Sequence, residues 1–550
     1  MQTLTSEESA APAVAPATVR HRLRVVAALV TVLAAAGAAV TAAELGAQQR
    51  GGVPHREVVV DGRIPATLYV PGRVPGLTTS AVDLPPPVPG ARPPAVVLAH
   101  GHSADRSTMS WLARRIARAG YVVVAFDFRG HGGNRTPHEP HGFDGRRADL
   151  RAVYDWTAGL PYADPERIVV AGHSMGAAAV VDLATHDARP AATVAMGGSV
   201  ATVVGPVRPR NPLFLVAALD GDVVRDEAAA TAAQFLGRPV AFGGRYGDHA
   251  DGSAVGLLQV EGADHLTMLY ADDTAGRIVD WLTASVGPGV AVPTPADHRL
   301  PLAGGYLLCV AVLLVLLGRW AGALAGPVDC PRPAGRRAFL LVTGALLAPI
   351  PLLTWGDPGQ LLGLEAGGAL VMLLAAAGLL LSAATRTPAV RRWARLPQPG
   401  DPAVGGWRQV AVAAPVAAGG MLLLLAPVGP VTHTLVPTPQ RLLAAVVAAA
   451  LLTPFLLAVE RLLRHGSPVA ASARSLAARL LLIVVVMAGV VIGVLPGMLG
   501  MHLLALAPIL IGLELLCAGM FARRADPRVP ALAQAAVLGW IVALLSPSLW

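Results

Sequence analysis

The sequence contains no lysine, so arginine supplies all 43 of its strongly basic residues. Charged residues make up only 14% of the chain, whereas hydrophobic residues make up 54%. A soluble protein of this length needs more charge to cover its surface, which excludes a wholly soluble fold. The net charge of +8 does not indicate a nucleic-acid-binding protein, because the surplus arginines stand in short loops between apolar runs.

Only three cysteines occur, namely Cys309, Cys330 and Cys517, and all of them lie outside residues 57–285. That segment therefore forms without a disulfide bond. The hydrophobic content is moderate between residues 49 and 298 and very high after residue 300. Because the chain is long enough for two domains, this shift predicts a soluble domain over 46–298 and a membrane domain over 301–550.

A further apolar run, Val25–Ala43, precedes the soluble domain and follows Arg20, Arg22 and Arg24. A run of about 19 residues is just long enough to cross a bilayer. We interpret residues 25–43 as a transmembrane signal anchor and residues 1–24 as a cytoplasmic arm. A cleaved signal peptide is the alternative, because the small residues at the end of the run suit a peptidase. Both interpretations place the soluble domain outside the cytoplasm.

About eight candidate membrane spans follow the soluble domain. They are Leu302–Leu317, Phe339–Thr354, Leu361–Ala383, Val410–Ala426, Leu442–Val459, Leu480–Leu495, Leu503–Phe521 and Ala531–Leu545. The loops expected in the cytoplasm contain Arg319, Arg336, Arg337, Arg386, Arg391, Arg392, Arg395, Arg461, Arg464, Arg474, Arg523, Arg524 and Arg528. The opposite loops, such as 355–360 and 496–502, carry almost no positive charge. This alternation follows the positive-inside rule and predicts an integral, multi-pass protein of the plasma membrane with an extracytoplasmic soluble domain.

Within the soluble domain, short apolar runs alternate with helical stretches. Glu57–Val60 and Ala66–Val70 predict an opening hairpin. The continuous apolar runs typical of buried parallel strands are Ala95–Ala99, Val122–Phe126, Ile168–Ala171, Thr193–Met196, Leu213–Ala217 and Gly256–Val260. The helical stretches between them include Thr108–Arg118, Arg147–Trp156 and Ala177–Thr185. This alternation predicts an α/β fold with a doubly wound, mostly parallel sheet.

The motif Gly172-His173-Ser174-Met175-Gly176 stands between a predicted strand and a predicted helix. A strand, a tight turn and a helix are the context that a nucleophile elbow requires. The two glycines permit the turn, and the helix directs its N-terminal dipole at developing negative charge. We therefore predict Ser174 as a catalytic nucleophile.

A serine hydroxyl needs a base that is itself oriented by a carboxylate. In this type of fold the acid comes before the histidine, and each follows a later strand. His265 comes after the last predicted strand and is the predicted base. Asp220 follows the strand Leu213–Ala217 and is the preferred acid, with Asp222 as the alternative.

An oxyanion hole needs two backbone N–H groups that face the developing negative charge. Met175, directly after the nucleophile, is predicted to supply one, and His102, in the loop after Ala95–Ala99, the other. His100 and His102 are alternative metal ligands, but their spacing at a strand end lacks a matching carboxylate pair. We therefore expect no metal and no cofactor.

These motifs, in this order, resemble the α/β-hydrolase family. The resemblance rests on Ala99-His100-Gly101, Phe126-Asp127-Phe128-Arg129-Gly130-His131-Gly132, the motif around Ser174, Asp220 and His265. It is strongest to the branch that contains dienelactone hydrolases, acyl esterases and prolyl-oligopeptidase-type hydrolases. The resemblance implies an acyl-enzyme mechanism with Ser174 as nucleophile, His265 as base and Asp220 as the residue that holds the imidazole. It also implies structural roles for Asp127, Arg129 and His131.

The predicted protein is a membrane-anchored serine hydrolase that cleaves a carboxylic ester, either of an envelope lipid or of a small acylated compound. An acyltransferase with the same triad is one alternative. A transporter or membrane-assembly protein with a hydrolase-like binding domain is another. The expected partners are the ester substrate and membrane lipid, with no nucleic acid, and the sequence does not define an oligomeric state.

Two further features carry expectations of their own. Glu514 lies within a predicted span, where a carboxyl group is costly and calls for a partner. His502 is the nearest candidate for that partner, whereas Glu365 and Glu460 fall near span ends and are expected at the membrane interface. The stretch Phe242–Ser253 is longer than a simple connection needs, and we predict that it lines the substrate entrance.

Overall fold

The computed structural model describes residues 17–50, 52–71, 92–140, 142–161, 163–198, 205–289, 291, 296–328, 335–353, 360, 362–396, 406–493, 495 and 497–549. Residues 1–16 of the predicted N-terminal arm, residues 72–91 after the second strand, and Cys330 lie outside the described residues.

One mixed sheet organises the soluble segment. Its strands are β1 (His55–Val60), β2 (Ile64–Tyr69), β3 (Ala95–Ala99), β4 (Val122–Phe126), β5 (Ile168–His173), β6 (Ala192–Met196), β7 (Pro212–Ala217), β8 (Gly244–Tyr246) and β9 (Val255–Val260). Their order across the sheet is β1-β2-β4-β3-β5-β6-β7-β9-β8. The pairs from β4 through β3, β5, β6 and β7 to β9 are parallel, whereas β1, β2 and β8 join antiparallel.

Helices cover both faces of this sheet. They are α2 (Ser110–Arg118), α3 (Asp144–Ala158), α4 (Met175–His186), α5 (Asp222–Leu236) and α6 (Asp272–Val286), after the N-terminal α1 (Ala17–Arg50). Side chains alternate along a strand, so Val96 and Leu98 of β3 pack in one core with α2 and α6. Ala95 and Val97 point the other way and pack in a second core with α3 and α4. The predicted doubly wound α/β fold is confirmed.

Strand β8 is absent from the sequence-based prediction. It has three residues, Gly244–Tyr246, and pairs antiparallel with β9 at the edge of the sheet. An edge strand this short, with a glycine and an arginine, has none of the continuous apolar character that identifies the buried strands.

The second half of the chain is a bundle of apolar helices. They are α7 (Arg299–Ala325), α8 (Gly335–Leu347), α9 (Ile350–Leu353), α10 (Gly367–Ala384), α11 (Pro388–Ala394), α12 (Trp407–Leu425), α13 (Gly429–Thr432), α14 (Pro439–Leu463), α15 (Pro468–Val491), α16 (Gly497–Phe521) and α17 (Arg528–Leu545). Helix α1 packs against α7 and so belongs to this bundle. In the described part of the chain, eight helices, α1 among them, are long and apolar enough to cross a membrane.

The structure divides the predicted span Phe339–Thr354. Helix α8 ends at Leu347 and α9 begins at Ile350, so neither has the length of a full span. Pro349 stands at the break, where its ring and its missing N–H disfavour a continuous helix. After the soluble segment, the described residues therefore contain seven helices that are long and apolar enough to cross a membrane, instead of the eight that hydropathy alone predicted.

The chain nevertheless traverses the bundle over this broken element. Arg337 of α8 donates to the Trp393 carbonyl, beyond the end of α10 that is remote from the soluble segment. Glu365, just before α10, lies 2.9 Å from His138 of the soluble segment. Residues 337 and 365 therefore lie at opposite ends of the bundle, whereas the alternation of the loops across a membrane stays a prediction.

Glu514, inside α16, has partners that the sequence did not reveal. Its two carboxylate oxygens accept from the Arg464 guanidinium at 2.9 and 2.6 Å. Ser475 donates to it at 2.7 Å, and Arg479 Nε lies 3.4 Å away. His502, the expected partner, instead contacts the soluble segment, so that expectation is wrong.

Glu460 belongs to the same buried network. The sequence suggested that it lies at the membrane interface, and that expectation is wrong. Its side chain is only 2% exposed and lies 2.7 Å from Arg464. Gln534 donates to Glu460 at 2.8 Å and accepts from Arg479 at 2.6 Å. Four charged groups from three helices thus form one hydrogen-bonded cluster inside the bundle.

The soluble segment contacts one end of the bundle. His433 Nε2 donates to the Ser103 carbonyl at 2.8 Å, and the ring of His502 lies 3.2 Å from the Ser103 hydroxyl. The Thr434 N–H donates to Asp105 at 2.7 Å. The loop that follows β3 is therefore held directly against the bundle.

Candidate active site

The turn between β5 and α4 has the geometry of a nucleophile elbow. Ser174 has φ 54° and ψ −115°, a backbone conformation that side-chain-bearing residues rarely adopt. Its N–H donates to the Met196 carbonyl at 2.8 Å, which fixes the elbow to the neighbouring strand β6. The strained turn places Ser174 above the sheet at the N-terminus of α4, as the sequence motif predicts.

The glycines beside Ser174 are required by close backbone contacts. A Cβ atom at Gly176 would lie 2.6 Å from the His100 carbonyl oxygen and 2.7 Å from that of Ala99. One at Gly172 would lie 2.2 Å from the Gly176 carbonyl oxygen. The elbow therefore has room for hydrogen alone at these two positions.

Replacing Gly176 with alanine is expected to destabilise the protein by about 1–3 kcal/mol, because the methyl group must displace backbone atoms of β3. The midpoint of thermal unfolding of the purified chain measures this. Gly276→Ala, in the middle of α6, is the matched control, since nothing lies within 4 Å of its added Cβ. The steric argument is wrong if the two variants unfold at the same temperature.

The structure brings the predicted acid and base together. His265 Nδ1 lies 2.8 Å from Asp220 Oδ1, and Asp220 Oδ2 accepts from the Ala217 N–H at 3.1 Å. The alternative acid, Asp222, begins helix α5, and its side chain is 94% exposed. The geometry favours Asp220, because a shielded carboxylate with a fixed orientation can hold an imidazole ring in place.

Two glycines after β6 leave room for the predicted base on one side and for the elbow on the other. A Cβ at Gly197 would lie 3.3 Å from His265 Cε1, and one at Gly198 would lie 3.1 Å from Ser174 Cα. The His265 ring therefore lies next to the nucleophile turn. The sequence analysis did not single out these glycines, although a glycine pair directly after a buried strand is a visible signal of close approach.

His173 contacts the backbone of the predicted base, His265. The sequence analysis did not identify His173 as a site residue. Its Nε2 donates to the His265 carbonyl at 2.8 Å, and the two ring centroids are 4.8 Å apart. Burial lowers the pKa of His173 to about 3, so the ring is neutral and donates only one hydrogen bond. It positions the His265 backbone without competing for the proton.

The loop after β3 lies against the elbow, where an oxyanion hole is predicted. A Cβ at Gly101 would lie 3.2 Å from Ser174 Cβ. His100 Nδ1 donates to the Gly101 carbonyl at 2.7 Å, and its Nε2 accepts from the Phe128 N–H at 3.0 Å. Both ring nitrogens of His100 are thus committed to the protein, which excludes the metal-ligand alternative for this residue. His102 and Met175 remain the predicted oxyanion donors.

Asp127 has the structural position that the resemblance implies. Its side chain is fully buried and accepts from the backbone N–H groups of Arg106 and Gly133, each at 2.9 Å. The Arg106 guanidinium also contacts it. Asp127 therefore ties the loop after β3 to the loop after β4, and Asp220 alone of these two acids contacts His265.

The prediction that Phe242–Ser253 lines the substrate entrance is wrong for the second part of the stretch. The Asn211 side chain donates to the His249 carbonyl at 3.1 Å, and the Asn211 N–H donates to the Gly252 carbonyl. Asn211 precedes β7, whereas Asp220 follows that strand. Residues 247–253 therefore lie at the end of the strands opposite the triad.

Phe242 lies toward the other end of the strands. Strand β8 runs antiparallel to β9 with Gly244 opposite Leu257, and the Arg225 guanidinium of α5 lies over the Phe242 ring. For Phe242 the entrance role stays a prediction.

This strand order and elbow give the soluble segment the α/β-hydrolase fold, joined in one chain to a bundle of apolar helices. Residues 91–229 match the family model described as serine aminopeptidase, S33. That match covers the elbow and Asp220 and ends before His265.

Curated relatives are similar to a smaller share of the chain. An uncharacterized protein of Mycobacterium tuberculosis is 40% identical over 111 residues, which cover 20% of this chain and 38% of that protein. A cutinase of Thermobifida alba is 33% identical over 98 residues, which cover 17% of this chain and 30% of the cutinase. The chain thus spans between 30% and 38% of the length of these relatives. The family model and the cutinase match support a hydrolase.

Among solved structures, a putative dienelactone hydrolase of Klebsiella pneumoniae is 16% identical with a TM-score of 0.30. The alignment covers 42% of this chain and 98% of that one. An esterase of Pyrococcus furiosus is 15% identical with a TM-score of 0.30, and the alignment covers 43% and 94% of the two chains.

Proposed function

We propose that the protein is a membrane-anchored serine hydrolase that cleaves carboxylic esters with Ser174, Asp220 and His265. The observation that carries this proposal is the 2.8 Å contact between His265 Nδ1 and Asp220 Oδ1 beside the strained elbow of Ser174. A binding domain has no need for an oriented acid–base pair next to a strained serine.

In the proposed reaction, Ser174 Oγ forms a bond to the acyl carbon while its proton passes to His265 Nε2. The backbone N–H groups of Met175 and His102 stabilise the negative oxygen of the tetrahedral intermediate. The bond to the alcohol breaks, and the alcohol takes the proton from His265. Water then attacks the acyl-enzyme by the same route and releases the acid. Asp220 holds the imidazole ring throughout and stabilises its charged form.

An apolar substrate is favoured by the surroundings of the triad. Leu219 is 70% exposed and Val223 is 71% exposed, on either side of Asp220 and the turn after it. Leu266, directly after His265, is 43% exposed. Exposed apolar side chains grouped at a site of chemistry indicate contact with an apolar ligand or surface. Since the loop after β3 is held against the helical bundle, we propose that acyl lipids at the extracytoplasmic membrane surface are substrates.

Labelling with a fluorophosphonate probe tests the proposal, because the probe reacts only with an activated serine. Membranes that contain the wild-type chain are expected to become labelled, and Ser174→Ala is expected to lose all labelling. Ser253→Ala is the matched control. Ser253 lies just before β9, at the end of the strands opposite the triad, so its replacement should leave labelling intact.

Hydrolysis of esters that differ only in acyl chain length then tests the substrate class. Faster cleavage of long-chain than of short-chain esters is expected for a site with an apolar rim. A folded wild-type chain that is not labelled contradicts the serine mechanism. A labelled chain that cleaves no ester contradicts only the ester assignment.

A further inference from the structure

Five side chains that suit metal binding meet where the soluble segment contacts the bundle. His102 comes from the loop after β3, and His131 and His138 come from the loop after β4. Glu365 and His502 come from the bundle. The ring centroid of His102 lies 5.8 Å from that of His131, 6.0 Å from that of His138 and 5.8 Å from that of His502. The soluble segment and the bundle therefore both contribute to one buried histidine cluster.

Three members of this cluster converge on one point. His138 Nε2 lies 2.9 Å from Glu365 Oε2, and His102 Nε2 lies 4.0 Å from the same oxygen. One ligand atom from each of the three residues lies within 4.8 Å of the others. In a tetrahedral zinc site with bonds of about 2.0–2.1 Å, neighbouring ligand atoms are about 3.3 Å apart. Shifts of an ångström or less bring these atoms to that spacing.

Ring nitrogens of this cluster lack hydrogen-bond partners. Within the described part of the chain, the converging atom His102 Nε2 accepts or donates no hydrogen bond, and neither do His131 Nε2 and His138 Nδ1 beside it. A buried polar atom without a partner costs about 1–3 kcal/mol, so His102 Nε2, which faces Glu365 at 4.0 Å, calls for an additional ligand. The other histidines of this interface differ, because His433 and His502 are bonded to Ser103.

The backbone connects the segments that carry His138 and Glu365. The His138 N–H donates to the Ser548 carbonyl at 2.7 Å, and the Ser548 N–H donates to the Gly130 carbonyl at 2.8 Å. The Glu365 N–H donates to the Pro547 carbonyl at 3.1 Å. The segment after α17 therefore bridges these two segments, and His138 and Glu365 are positioned before an ion arrives.

We propose that His102, His138 and Glu365 bind a divalent transition-metal ion, zinc being the best match, that links the soluble segment to the helical bundle. Two histidines and one carboxylate suit zinc, with a fourth position for water or for His131. The short spacing of His100 and His102 argued against a metal site because no carboxylate was near in sequence. Glu365 supplies that carboxylate from a distant part of the chain. The ion would also fix the position of His102, whose N–H is a predicted oxyanion donor.

Metal content and affinity of the full chain test the proposal directly. The protein is purified in detergent without a histidine tag, stripped with EDTA, and titrated with Zn²⁺ and Co²⁺. We expect one tightly bound ion per chain, and a visible Co²⁺ spectrum typical of tetrahedral nitrogen and oxygen ligands. Loss of an outer-sphere partner typically weakens a metal site about 10–100-fold, so Glu365→Gln and His138→Gln should weaken this one further still. His433→Gln, at the same interface, is the control that should retain the ion.

A wild-type chain that takes up neither ion overturns the proposal, whatever the variants do. So does a Glu365→Gln chain that elutes as a monodisperse species and still binds zinc as tightly as the wild type. If a variant does not fold, Glu365→Asp keeps the charge and tests the geometry through a changed Co²⁺ spectrum. These measurements do not depend on Ser174, so the metal site stands or fails separately from the hydrolase activity.

Discussion

Asp220→Asn is expected to lower kcat for ester hydrolysis by about 10⁴-fold while the protein remains folded. The His265 Nδ1–H now donates to Asp220 Oδ1 at 2.8 Å, which leaves Nε2 free to accept the serine proton. An amide at this position can instead donate to Nδ1, and that contact stabilises the wrong tautomer of the imidazole. It also removes the negative charge that stabilises the imidazolium in the transition state. Steady-state kinetics with a chromogenic ester, together with the rate of fluorophosphonate labelling, measure the effect.

Asp222→Asn is the matched control for this prediction. Asp222 is two residues away, and its side chain is 94% exposed. A change there should leave kcat within about twofold, since exposed surface substitutions away from the chemistry have small effects. The assignment is reversed if Asp222→Asn lowers kcat severely and Asp220→Asn does not.

Glu514→Gln is expected to destabilise the helical bundle by about 3–5 kcal/mol. The loss of the carboxylate leaves Arg464 and Arg479 buried with one fewer counter-charge, while Ser475 loses a strong acceptor. Taking an unpaired charge out of water is expensive, and the penalty is larger inside an apolar bundle. The temperature at which the detergent-solubilised chain loses its monodisperse peak in size-exclusion chromatography is the measurement.

Glu166→Gln is the control, because Glu166 is exposed on the soluble segment and should not change this temperature. A double replacement of Glu514 and Arg464 by leucine should recover part of the loss, since it removes both charges at once. If Glu514→Gln is as stable as the wild type and disrupts only a function in cells, the network serves transport and not structure.

The local features of the soluble half were predictable from sequence. Buried strands such as Ala95–Ala99 and Val122–Phe126 appear at the predicted residues because a continuous apolar run between turn signals has few other solutions. The elbow around Ser174 is equally local, since strand, glycines and helix follow one another directly. The roles of Ser174, Asp220 and His265 stay predictions until they are tested, although the chain order gave the pair that the structure brings together.

The features that escaped prediction depend on contacts between distant residues. Glu514 contacts Arg464 and Ser475, which belong to other parts of the bundle. The hydropathy pattern along the chain does not indicate which polar residues of different helices pair. Glu365 meets His138 across 227 positions, the difference between the two residue numbers. Hydropathy found the bundle but counted Phe339–Thr354 as a single span, because a window average does not register the interruption at Pro349.

The contact between the loop after β3 and the bundle has a consequence for modularity. Ser103 is bonded to His433 and His502, and Asp105 to Thr434, so residues from the other half of the chain hold the loop after β3. The bundle therefore supports the soluble segment as well as being joined to it. An excised soluble fragment would expose these polar groups and lose the support of the loop that carries the predicted oxyanion donor. The two halves therefore depend on each other's contacts, and a functional protein requires both of them in one chain.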